Sequence, residues 1–248
     1  MISSPTYWLE PVSAGSIDYG VRISAEKLRE LEGAPNKRKR LTDVKRELFA
    51  LVEESEGAPN SDCLIDQRLS LRVLIGKVHF QHAALMANSS KSTPKDRTKT
   101  ALSDLATAEA SFEAALRLKP DHPKTMLRLI RVHLARTQIA PSDKAIADSL
   151  RKARAVRREL DQFSTPLAAY WSQIARAEIA LRHGFLSPQK APEMLETARL
   201  ALRAASKLRP DDGFAARQEM CQNYFRQPTL PDRWPSRRHA QTTLRPTR

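Results

Sequence analysis

One pattern occurs twice in this chain and restricts its fold more than any other feature. An alanine, a large apolar residue and a second alanine recur at relative positions 0, 4 and 7. The first copy is Ala108, Phe112 and Ala115; the second, 90 residues on, is Ala198, Leu202 and Ala205. Each copy runs into a basic residue, a proline and an aspartate, Lys119-Pro120-Asp121 and Arg209-Pro210-Asp211. That spacing puts the three residues on one face of a helix. The alanines let a neighbouring helix come close, the large residue fills the gap, and the proline ends the helix. A chain that uses this device twice is expected to pack helices in pairs.

Composition agrees. The 248 residues suffice for one large domain or two small ones. A content of 41% hydrophobic and 28% charged residues fits a globular protein. Seven glycines are too few for a β-rich or doubly wound fold with its many tight turns, and good helix formers dominate. The expected class is therefore all-α. The formal charge of +14 implies an acidic partner, which could be nucleic acid, an anionic surface or an acidic protein, or else serves solubility alone. Cys63 and Cys221 form neither a disulfide framework nor a metal motif, and are expected as small core residues in a cytoplasmic or other reducing compartment. The amino-terminal residues lack the basic and apolar regions of a secretory signal, and no stretch is apolar enough to span a membrane.

Four regions are expected along the chain. Residues 1–22, with Pro5, Pro11, Gly15 and Gly20 among aromatic residues, read as an extended arm. Residues 23–60 read as a short helical element: one helix capped by Ser24 and stopped at Gly33, then a second with Leu41, Val44, Leu48, Leu51 and Val52 at helical spacing and a cap at Thr42 or Asp43. Both end in Gly-Ala-Pro-Asn. Residues 61–226 read as a helical domain with long loops at 88–99 and 137–143, helices over 64–87, 100–119, 144–162 and 192–209, and a last helix over 212–226. Residues 227–248, rich in proline and arginine, read as a disordered basic tail.

The duplicated pattern and its exit turn resemble the second helix of a tetratricopeptide repeat. Ile75-Gly76 is similar to the close-crossing pair of that family's first helix, with His79 where an aromatic is usual. Met126, Leu129, Ile130 and His133 fall on the matching positions, as do Trp171, Ile174 and Ala175 after a start at Thr165-Pro166. The resemblance covers about residues 69–226. The repeat lengths are irregular, the loops are long, and helix 144–162 lacks the pattern. It implies an α-solenoid of antiparallel helix pairs that works by binding, although a plain helical bundle would use the same pairs.

Within the repeat frame, the first helices line a concave groove, and their corresponding positions hold Lys77, Arg131 and Arg176, with Lys124 nearby. Such basic grooves in the family grip acidic segments, which ammonium and guanidinium groups suit. Separately, Arg151, Arg154 and Arg158 form a stripe along one helix that fits a phosphate backbone or a solvated face. Lys37-Arg38-Lys39-Arg40 is a tetrabasic run of the kind found in nucleic-acid patches and in linkers. Arg233, Arg237 and Arg238 make the tail basic beside Trp234, a composition suited to RNA. His79 and His82 are spaced for two metal ligands, but no carboxylate or cysteine is placed beside them in sequence, so they read as an ordinary histidine pair. No phosphate loop, nucleophile elbow or supported carboxylate pair occurs, and a helical enzyme would need a buried polar cluster that the sequence does not display. The expectation is a non-enzymatic scaffold without metal or cofactor, holding an acidic protein segment rather than a small molecule. The alternative is an RNA-contacting subunit of a ribonucleoprotein.

Overall fold

The computed structural model describes residues 14–30, 36–56, 62–87 and 93–211. Among these the secondary structure is eight α-helices and one 3-10 turn, with no strand. The chain divides into two compact units, residues 1–143 and 144–248.

The first unit contains α1 (Ala14–Glu30), α2 (Lys37–Glu56), α3 (Asp62–Ala87), α4 (Pro94–Leu118) and α5 (Pro123–Ile139). Its core joins Leu28 of α1, Leu41, Val44, Leu48 and Val52 of α2, and Leu71, Leu74, Ile75 and Val78 of α3. The chain from α3 to α4 turns back on itself, because Gly76 faces Phe112 while His82 faces Asp104. Phe112 is buried between Ala108 and Ala115, neither of which is exposed at all. A methyl group at Gly76 would lie 2.5 Å from Phe112 Cε1. The glycine is thus the space into which the ring fits.

The second unit contains α6 (Asp143–Leu160, from Lys144 on), α7 (Pro166–Leu186), a 3-10 turn (Pro188–Lys190) and α8 (Ala191–Leu208). Leu150, Ala153, Val156 and Leu160 are the buried apolar side of α6. Helices α7 and α8 are also antiparallel: Gly184 meets Ala191 and Met194 at one end, and Arg209 lies over the Tyr170 ring at the other. The second copy of the pattern is as well sealed as the first, with Ala198, Leu202 and Ala205 fully buried. Both copies stop alike. Lys119 N donates to Ala115 O at 3.1 Å and Arg209 N to Ala205 O at 3.0 Å, so the last alanine of each pattern takes the final helical bond before the proline.

Several boundaries differ from expectation. Helix α1 starts at Ala14 and takes in Gly15 and Gly20, so the extended arm expected over 1–22 does not include 14–22. Ser24 is inside that helix and buried rather than at its start. Helix α2 starts at Lys37, which puts the tetrabasic run inside a helix and not in a linker. Thr42 is consequently no cap; its hydroxyl donates to Arg38 O at 3.0 Å within the helix. Asn36, at φ 64°, makes the turn into α2, a conformation asparagine tolerates better than most residues. The loop expected over 88–99 is helical from Pro94 onward. Thr93 Oγ1 accepts from Asp96 N at 3.2 Å, and Pro94 takes the first helical position, where no amide donor is needed. Thr165 and Pro166 open α7 in the same way, with Ala168 N donating to Thr165 Oγ1 at 3.1 Å. The helix expected over 212–226 and the tail over 227–248 lie outside the described residues.

Candidate functional site: an arginine-lined recess

Helix α6 is amphipathic, and its apolar side is consumed by packing. Its arginines therefore remain along the margin of that contact. Arg151, Arg154, Arg157 and Arg158 line an open recess of about 840 Å³ within the second unit. Helix α7 contributes Arg176, Ile179, Ala180 and His183, and α8 contributes Met194 and Thr197. Five guanidinium groups thus border the recess, with the almost wholly buried Ile179 and Ala180 at its base and the half-buried Met194 beside them.

Two of these cations are already paired. Arg151 Nη2 lies 2.9 Å from Asp148 Oδ1, and Arg157 Nη1 lies 2.7 Å from Asp161 Oδ2, whose other oxygen accepts from the Ser172 hydroxyl. Among the described residues, no carboxylate pairs with Arg154, Arg158 or Arg176. Arg154 Nη2 instead reaches His183 Nδ1 at 3.2 Å. Burial, then Arg154 and Lys190, pull the His183 ring below the usual histidine value, with Glu193 opposing. The arrangement can hold a ligand with several negative charges and an apolar portion.

The sequence-predicted residues are redistributed by the fold. Arg151, Arg154 and Arg158, read as a phosphate-contacting stripe, share one recess with Arg176, read as a groove residue. Lys77 on α3 and Lys124 and Arg131 on α5 belong to the first unit. Arg131 has a close neighbour that the sequence reading passed over: burial, then Arg131, holds Arg128 down to about 10, still charged at neutral pH. Lys37, Arg38, Lys39 and Arg40 form the opening of α2, where they oppose the helix dipole. Arg233, Arg237 and Arg238 lie outside the described residues. Arg157 and His183 were missed. Arg157 was legible as one more member of the α6 arginine series, whereas His183 arrives from a different helix.

The first unit holds a second cluster, in which the histidine pair is buried in the core and meets a carboxylate from another helix. Asp104 on α4 meets both rings, accepting from His79 Nδ1 at 2.8 Å and from His82 Nδ1 at 2.5 Å. Lys45 Nζ of α2 donates to Asp104 Oδ1 at 2.5 Å. The sequence could not place Asp104 there because it is 22 residues from His82 and arrives through helix pairing. Burial would raise the Asp104 carboxyl, but the bonds from His79, His82 and Lys45 outweigh it and hold the group below the usual carboxylate range. The Lys45 ammonium takes the place a metal cation would need, and no metal-ligating group of three occurs among the described residues. The cluster neutralises itself across three helices.

No family model, curated protein or solved structure matches the chain. Among the described residues, no helix is long and apolar enough to cross a membrane.

Proposed function

We propose that the protein is a non-enzymatic binding scaffold whose second unit holds an acidic protein segment in the arginine-lined recess, on helix pairs of tetratricopeptide-like construction. The observation that carries this reading is the recess itself. Arg154, Arg158 and Arg176 converge there without a carboxylate partner among the described residues. Guanidinium groups suit carboxylates in geometry and stay charged at any physiological pH. The half-buried Met194, beside Ile179 and Ala180, gives the recess an apolar side that suits a ligand in which leucine-like side chains alternate with acidic ones. No aromatic side chain lines the recess among the described residues, and stacking on aromatics is the usual means of holding single-stranded RNA. That favours a peptide over the ribonucleoprotein alternative.

The test uses the full chain and two probes, a fluorescent peptide with Glu and Leu at helical spacing and a labelled oligouridine RNA. Arg158→Glu with Arg176→Glu should weaken the peptide by about tenfold or more per position, leaving far-ultraviolet circular dichroism unchanged. Unchanged peptide affinity in that variant would sink the reading. So would preferential RNA binding with a steep salt slope.

A further inference from the structure

We propose that ligand binding in this recess is coupled to uptake of one proton by His183, which hands Arg154 from the histidine to the bound anion. The inference rests on the recess being an anion site.

It starts from the hydrogen bond between Arg154 Nη2 and His183 Nδ1, 3.2 Å long. A guanidinium can only donate, so Nδ1 must present its lone pair. The ring is then neutral, with its proton on Nε2. The groups that face His183 are Arg154 from α6, Lys190 from the 3-10 turn and Glu193 from α8. Arg176 shares the recess from the same helix as His183. Burial, then Arg154 and Lys190, disfavour a proton on the ring of the empty site, against Glu193.

A ligand with several carboxylates reverses the balance. Negative charge beside the ring favours the imidazolium, so one proton from solvent adds to Nδ1. Nδ1 then no longer accepts, and its bond with Arg154 is lost. Arg154 and the imidazolium both turn their N–H groups to the ligand. The bound state gains two donors with positive charge, where the empty site had spent one on the other. His183 acts as a specificity-determining residue: a ligand with a single negative charge has less to offer the second cation.

The probe is the fluorescent Glu/Leu peptide, whose carboxylates remain ionised above about pH 5.5, so that the protein alone titrates. Affinity should strengthen several-fold as pH falls from about 8 to about 5.5, by no more than about tenfold per pH unit for one proton. Calorimetry in two buffers of different ionisation enthalpy should count uptake of up to about one proton per peptide near pH 6.5. His183→Asn, which can still accept from Arg154 but takes up no proton, should lose the rise in affinity at low pH. Peptide binding that ignores pH, or a pH dependence that survives in His183→Asn, overturns the proton coupling and leaves the recess as an anion site. No peptide binding at any pH overturns both.

Discussion

The most searching test of the helix pairing is Gly76→Ala. In an ordinary helix interior this substitution stabilises by about 1 kcal/mol, because alanine loses less backbone freedom than glycine. Here the new methyl would lie 2.5 Å from Phe112 Cε1 and 2.7 Å from both Cδ1 and Cζ, well inside van der Waals contact. The ring cannot step aside, since Phe112 is 1% exposed and is flanked on its own helix by Ala108 and Ala115 at 0%. Overpacking a rigid site of this kind costs about 3 kcal/mol, the upper end of its range, so the net destabilisation should be about 2 kcal/mol. Urea denaturation of the full chain should show it. Hydrogen exchange in peptides from α3 and α4 should rise more than in α7 and α8, which separates a local effect on the first unit from a general one. The second pattern carries Ala175 and Leu202 at the corresponding positions. Gly76→Ala with Phe112→Leu should therefore recover part of the loss. If Gly76→Ala is as stable as the wild type, or costs the same with Leu at 112, the close crossing is not what the glycine is for.

Asp104→Asn removes the carboxylate on which Lys45, His79 and His82 converge, and should cost about 3–5 kcal/mol in chemical denaturation. Adding Lys45→Met should restore more than about 1 kcal/mol of that, because an uncompensated cation is removed. His122 precedes α5 and is held below the usual histidine value by burial, then Arg128, Lys119 and Lys124. The folded protein then binds fewer protons than the unfolded chain as pH falls from about 6.5, so this contribution to stability is lost on acidification. Denaturation midpoints followed against pH should show the decline, and His122→Gln should reduce it.

The parts of the fold that the sequence displayed are those fixed by neighbouring residues. Thr165-Pro166, Pro123 and the two basic-Pro-Asp turns set one end each of α4, α5, α7 and α8 nearly where the structure has them. The alanine patterns located their own buried faces. Failures came where a local signal had two meanings. Thr93-Pro94 among polar residues resembles a loop, yet a threonine cap followed by proline is also a good helix start. Lys37 to Arg40 resemble a linker because four cations oppose the dipole, but the packing of Leu41, Val44 and Leu48 outweighs that penalty. What the sequence did not display at all were meetings between helices. Arg176 was assigned to a groove, and α6 brings Arg151, Arg154 and Arg158 into one recess with it, which the sequence did not display. His183 and Asp104 each gained their meaning from a helix other than their own.

The two polar clusters contain similar residues and differ in counter-charge. Around Asp104, one carboxylate receives Lys45 and two histidines, and the group is buried. Its charge is balanced internally, so an arriving anion would have to displace one of these bonds. Such a cluster joins α2, α3 and α4 through one carboxylate. In the recess, two arginines have aspartates and three do not among the described residues, while the one additional partner, His183, is neutral and gives way on protonation. The uncompensated charge is open to solvent, where desolvation is cheap and an anion gains guanidinium contacts without breaking an ion pair. A formal charge of +14 says little by itself about partners. Its placement says more: among the described residues, Arg154, Arg158 and Arg176 share one recess without a carboxylate partner.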